Sequence, residues 1–217
     1  MTPRPTGFAP IVVAWVAALA CAYLADALAT PQAQAWAEWT FAIYPVRYDP
    51  VSGYAYSGLS MALLPLISHA FLHGGLVHIA LNAACLVQAG VPLARRFGEG
   101  AGGGWRFSLL FILSVVAGAV AYILLNPGSD IPAVGASGGV SGVFAAFFLS
   151  VRPNWRESLR VPLVHWGLII FFVVNVGLAS LGQFIGTPIA WEAHLGGFLA
   201  GLILQPVLAP RTPHAMI

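Results

Sequence analysis

The chain contains no lysine: all nine basic residues among its 217 positions are arginine. Charged residues of either sign make up only 7% of it, against roughly 25% in a soluble domain. So little charge excludes an ordinary water-solvated surface. With 59% hydrophobic residues, the composition is that of a chain solvated by lipid. A net charge of +2 is too small to gather nucleic acid, and no such partner is expected. Cysteine is equally scarce. Cys21 and Cys85 both fall inside apolar runs, which suits small buried hydrophobes better than a disulfide. There is no CxxC pair, phosphate-cradling glycine loop, low-complexity tail or solenoid-type repeat.

Long apolar runs are what the chain has instead. A bilayer core of about 30 Å takes roughly 20 mostly apolar residues as a helix. Six stretches qualify: residues 11–29, 75–93, 107–125, 131–151, 162–181 and 190–208. The expectation is therefore an all-α membrane protein. A six-transmembrane-helix core would cover 11–208, with short tails at 1–10 and 209–217. The connection 30–74 carries Trp36, Trp39, Phe41, Tyr44, Tyr48, Tyr54 and Tyr56. Such aromatic density predicts a segment lying in the membrane interface.

Arginine placement orients this bundle. Arg4, Arg95, Arg96, Arg106, Arg152, Arg156, Arg160 and Arg211 fall on one side of six spans, and only Arg47 on the other. The positive-inside rule then makes both termini cytoplasmic. An alternative concerns the first span alone. Arg4, the apolar run and Ala27-Leu28-Ala29 also have the form of a signal peptide, whose removal would leave five spans in the same orientation.

Strongly polar groups at membrane depth are costly, so each is a candidate for function. His78 and Asn82 lie in the first two turns of the second span. Ser137 follows the start of the fourth span, in Gly135-Ala136-Ser137-Gly138, and His194 follows the start of the sixth, in Ala193-His194-Leu195-Gly196-Gly197. All three spans enter from the outer face. At about 1.5 Å of rise per residue, the groups share one depth near that face.

Acyl transfer is the chemistry that needs this set. A serine hydroxyl is a weak nucleophile until a base of suitable pKa stands beside it, and imidazole is such a base. The tetrahedral intermediate needs fixed donors aimed at its oxyanion. His78 and Asn82, spaced i, i+4, share a helix face from which both can donate. Glycines around Ser137 permit close backbone approach. No Asp or Glu lies deep in any span to orient His194, so the expectation is a Ser–His dyad, with Glu192 an interfacial group at the outer edge. The chemistry calls for no cofactor.

At these residues the chain resembles the rhomboid family of intramembrane serine proteases. The matching stretches are His69-Ala70-Phe71-Leu72-His73 through His78 to Asn82, Gly135-Ala136-Ser137-Gly138-Gly139, and Ala193-His194-Leu195-Gly196-Gly197. They stand in the family's order on the second, fourth and sixth spans. The resemblance implies Ser137 as nucleophile and His194 as general base, then acid. It also implies His78, Asn82 and the Ser137 N–H as oxyanion stabilisers. Connection 30–74 resembles the family's membrane-embedded first loop, and the fifth span the helix that moves to admit substrate. The implied substrates are membrane proteins with a transmembrane helix, cleaved near its outer end. Two departures stand beside this. A second match, Gly139-Val140-Ser141-Gly142, lies one turn later, and Ser141 occupies a place where relatives often carry an aromatic that stacks on the histidine. The acidic residue often found after the second span is also missing around Ala94-Arg95-Arg96.

Blander roles compete for several of these residues. His69, His73 and His78 do not have the spacing to share a metal, and no Cys, Asp or Glu joins them. No metal is expected, and His69 and His73 are read as hydrogen-bonding within the first loop. His165 reads as interfacial and His214 as tail. Gly197 and Gly201 form a small-xxx-small step that should pack the sixth span on the fourth. Asn175 could face a polar cavity or simply pack. Rival functions are a non-proteolytic rhomboid-like protein that binds membrane clients, or a proton-coupled transporter. Alanine-rich, all-arginine usage suggests a bacterial inner membrane. Substrate identity and oligomeric state are not written in the sequence.

Overall fold

The computed structural model describes residues 9–98, 100–184 and 189–210. Arg4, Arg211, His214 and most of both expected tails lie outside the described residues. Among the described residues ten α-helices follow in order: α1 Pro10–Ala27, α2 Pro31–Phe41, α3 Leu59–Leu63, α4 Pro65–Ser68, α5 Leu76–Phe97, α6 Gly100–Leu125, α7 Ser137–Leu149, α8 Trp155–Ser158, α9 Pro162–Phe184 and α10 Trp191–Leu208. No strand occurs among the described residues; a single antiparallel bridge joins Ile43 to Ala133. Among the described residues three helices, α1, α5 and α6, are long and apolar enough to cross a membrane.

Small residues set the centre. A Cβ added at Gly197 would overlap the Gly138 carbonyl oxygen, and one at Gly201 the Gly142 carbonyl oxygen. Helices α7 and α10 therefore touch backbone to backbone, as the small-xxx-small spacing predicts. Gly196 meets Ala117 and Ala121 in the same way, and Gly118 meets the Ala193 carbonyl, which brings in α6. Around this seam Leu86, Leu93, Phe97, Phe107, Leu110, Phe111 and Val143 are all but fully buried. The outer surface is apolar as well. Ile170, Phe172 and Val173 of α9 and Ile203 and Val207 of α10 are each more than half exposed. In water such a surface would be unstable; in hydrocarbon it is the solvated face.

The fourth apolar stretch differs from expectation. The sequence predicts a helix over 131–151, but α7 begins only at Ser137. Pro132 brings no N–H, and Gly135 has φ +111°, outside helical space. This non-helical backbone is satisfied by the first loop: Ile43 and Ala133 exchange hydrogen bonds of 3.1 and 2.9 Å, and the Gly135 N–H donates to the His69 carbonyl at 2.8 Å. Irregular backbone within a membrane protein's core needs such internal partners.

The aromatic connection is folded. Pro31 opens α2, where Thr30 Oγ1 accepts the Ala33 N–H at 3.3 Å. The Arg47 guanidinium lies 4.4 Å from the Trp39 ring centroid and 4.1 Å from that of Tyr56, a cation–π sandwich. Tyr44 donates to Glu38 at 2.7 Å and Tyr48 to the Ala62 carbonyl at 2.9 Å. At the other end of the bundle Arg96 donates to the Pro153 carbonyl at 2.7 Å. That bond joins the last turn of α5 to the segment between α7 and α8.

Candidate active site

Ser137 is the first residue of α7. Its backbone N–H is therefore one of the donors that a helix start leaves without an intrahelical acceptor, and the positive end of the helix dipole lies at its side chain. His194 sits in the first turn of α10. The two side chains, 57 residues apart in sequence, meet with 2.8 Å between Ser137 Oγ and His194 Nε2. Both side chains are partly buried.

The other ring nitrogen is also engaged. His194 Nδ1 lies 2.6 Å from Asn175 Oδ1 of α9. With both nitrogens committed, Ser141 is not the partner of this ring; it lies one turn deeper, buried. The sequence alone does not decide the role of Asn175. Its only signal was an amide in the middle of an otherwise apolar span.

His78, in the first turn of α5, accepts the Gly74 N–H at Nδ1 over 3.3 Å. That bond places its ring hydrogen on Nε2. The ring lies against Gly135, where an added Cβ would stand 2.6 Å from Cε1 and 2.8 Å from Nε2 of His78. The ring therefore packs against the peptide units just before Ser137. Asn82 is buried and its Nδ2 donates to the His78 carbonyl at 3.1 Å. It braces the turn carrying His78, with one amide hydrogen left over.

His69 and His73 belong to the loop that supports this cluster. His69 Nδ1 donates to the Pro65 carbonyl at 2.8 Å, as expected of a loop-stabilising residue. Burial pushes its imidazole down to about 4, with the Pro65 bond opposing. His73 departs from expectation. Neither of its buried ring nitrogens has a hydrogen-bond partner among the described residues, and the ring instead meets His78 edge-on at 5.1 Å and 66°. Burial, then the nearby His78, push its imidazole down to about 4, with the Phe71 backbone opposing. A cavity of about 400 Å³ lined by Tyr23, Asp26, Gln34, Glu38 and His73 opens beside it. Among the described residues no cluster of His, Cys, Asp or Glu is placed to hold a metal.

The family model described as "Rhomboid domain" matches residues 60–211, most of the chain and every residue of this cluster. The chain belongs to the rhomboid family. Among similar proteins, this rhomboid is 31% identical over 142 residues to Rhomboid-related protein 2 of Mus musculus, covering 63% of this chain and 45% of that one. It is 30% identical over 152 residues to RHOMBOID-like protein 5 of Arabidopsis thaliana, covering 70% and 46%. It is 27% identical over 143 residues to Rhomboid protease GluP of Bacillus subtilis, covering 66% and 25%. The chain thus spans less than half the length of these curated relatives. Rhomboid membership and the apolar helices make it an integral membrane protein.

Proposed function

We propose that this rhomboid is an intramembrane serine endopeptidase that cleaves single-span membrane proteins within or near the outer end of their transmembrane helix. The contact that carries the reading is the 2.8 Å approach of Ser137 Oγ to His194 Nε2, made by groups on two different helices. A serine that merely packed in a glycine-rich helix would need no such partner.

In this reading Ser137 Oγ attacks the scissile carbonyl while its proton passes to His194 Nε2. The oxyanion is met by the Ser137 N–H, the Nε2–H of His78 and the free amide hydrogen of Asn82, donors fixed before the reaction begins. His194 then protonates the departing amine, leaving an acyl-enzyme on Ser137. Water reaching the site from the outer side gives a proton to His194 and attacks the ester; as the C–O bond breaks, His194 returns that proton to Ser137 Oγ and the acid product leaves. A helical substrate hides its amides in internal hydrogen bonds, so residues that weaken a helix should favour cleavage.

The reading includes the membrane arrangement: a six-span core over 11–208, the interfacial loop 30–74, and tails 1–10 and 209–217 in the cytoplasm. Arginine on one side of the spans supports it. The alanine-rich, all-arginine composition favours a bacterial inner membrane. The test is to incubate the purified protein in detergent with a single-span substrate, beside Ser137→Ala and His194→Ala. Cleavage by the wild type alone supports the assignment, whereas full activity in either variant ends it.

A further inference from the structure

We infer that Asn175 is a positioning residue for His194, holding the ring in the one tautomer that can take the Ser137 proton; this rests on the protease reading above. Three contacts form a directed chain. Asn175 Nδ2 lies 2.8 Å from the Phe171 carbonyl, an oxygen that can only accept, so the amide nitrogen points there and Oδ1 points at His194. Oδ1 can also only accept, so His194 Nδ1 carries the hydrogen across the 2.6 Å contact. Nε2 is then the bare nitrogen, and the Ser137 hydroxyl donates to it over 2.8 Å. An amide turned the other way would put the hydrogen on Nε2 and leave no base for the nucleophile. The Phe171 carbonyl, one turn back on α9, is what prevents that.

A packing role does not account for the residue. Neighbours Phe172, Val173, Val174 and Val176 are all exposed apolar side chains, so α9 is a lipid-facing helix where an amide is costly unless paired. Both of its hydrogen-bonding ends are paired, and one is paired to the base. The other ties of α9 to the bundle here are apolar. Phe171 stacks on Phe198 of α10 at 4.1 Å, and Gly167 lies against Phe148 of α7. Hydrogen bonds tolerate little stretching, so the seating of α9 against α10 decides whether His194 is oriented.

The experiment measures kcat and KM in detergent for Asn175→Leu, which keeps the volume and removes the acceptor, and for Asn175→Asp, which keeps an oxygen in place. We expect Asn175→Leu to lower kcat about 10- to 100-fold with KM within about twofold, and Asn175→Asp to recover most of the loss. A residue that only packs would give the opposite order, with Leu active and Asp impaired, and that result overturns the inference. The ring ¹⁵N shifts of His194, assigned by difference from His194→Gln, give a readout independent of turnover. Hydrogen on Nδ1 in the wild type and a tautomer mixture in Asn175→Leu support the inference; hydrogen on Nε2 in the wild type overturns it. A wild type that cleaves nothing would instead remove the protease reading, leaving the nitrogen shifts to decide Asn175.

Discussion

The His69 carbonyl accepts the Gly135 N–H at 2.8 Å, so the first loop and the backbone that presents Ser137 are one hydrogen-bonded piece. Through that bond, residues far from the serine hold the peptide units just before it. Loop and site should therefore fail together, and their failures can be separated from loss of the chemistry alone.

The nucleophile assignment distinguishes two serines one turn apart. Ser137→Ala should lower cleavage by on the order of 10⁴-fold or more and abolish covalent labelling by a fluorophosphonate. Ser141→Ala, which leaves the His194 contact intact, should cleave within a few-fold of wild type. Labelling that survives Ser137→Ala and vanishes in Ser141→Ala would reverse the assignment.

Oxyanion stabilisation predicts kinetic losses in a protein that still folds. His78→Ala should reduce kcat about 100-fold, as loss of one fixed donor commonly does, while the purified variant still unfolds cooperatively in detergent. Gly135→Ala should act through the same ring, since its Cβ would press on His78 Cε1 at 2.6 Å and φ +111° disfavours any side chain. Asn82→Ala should cost less, because half of its amide is spent on the His78 carbonyl. Wild-type turnover by Gly135→Ala would show that His78 is not needed where it lies.

Backbone contact between α7 and α10 predicts which glycines cannot be replaced. Gly201→Leu would drive a side chain into the Gly142 carbonyl and should cost about 1–3 kcal/mol or more, because backbone cannot yield as a side chain can. Gly177→Ala is the control: an added Cβ there meets nothing within 4 Å, and a better helix former replaces glycine. Thermal unfolding of both variants in one detergent checks the contrast.

Acid should loosen the first loop. The His69 imidazole is held neutral, near 4 rather than its ordinary 6.5, by burial. Below 6.5 the unfolded chain takes up a proton there that the folded chain refuses. Stability is then complete above pH 6.5 and falls as pH drops from 6.5 towards 4. His73 shifts in the same direction and adds to the slope. Melting temperatures across that window should fall more steeply for wild type than for His69→Gln, whatever the latter's starting stability. Equal slopes would remove His69 from the cause.

Much of the site was legible because membrane depth makes polarity conspicuous. Ser137, His194, His78 and Asn82 stood out as polar groups in apolar runs, on helices entering from one side, and the fold brings the first two into contact. Asn175 carried the same signal, but nothing in a linear span says which way an amide faces. The start of the fourth helix is hidden from the sequence for a related reason. Hydropathy counts 131–136 as apolar and continuous with α7, yet those residues lie outside the helix, because Ala133 and Gly135 hydrogen-bond to Ile43 and His69, about 65 residues or more upstream.

Composition and periodicity by themselves determined that this chain is helical, lives in lipid and carries a serine and a histidine at one depth. These are properties of residue type and short spacing, which solvent acts on directly. Only the tertiary structure decided where the helix under Ser137 begins, which serine faces His194, and what holds the far side of that ring. Each depends on which distant groups share a few ångströms, and a hydrogen bond's direction is set by both of its ends.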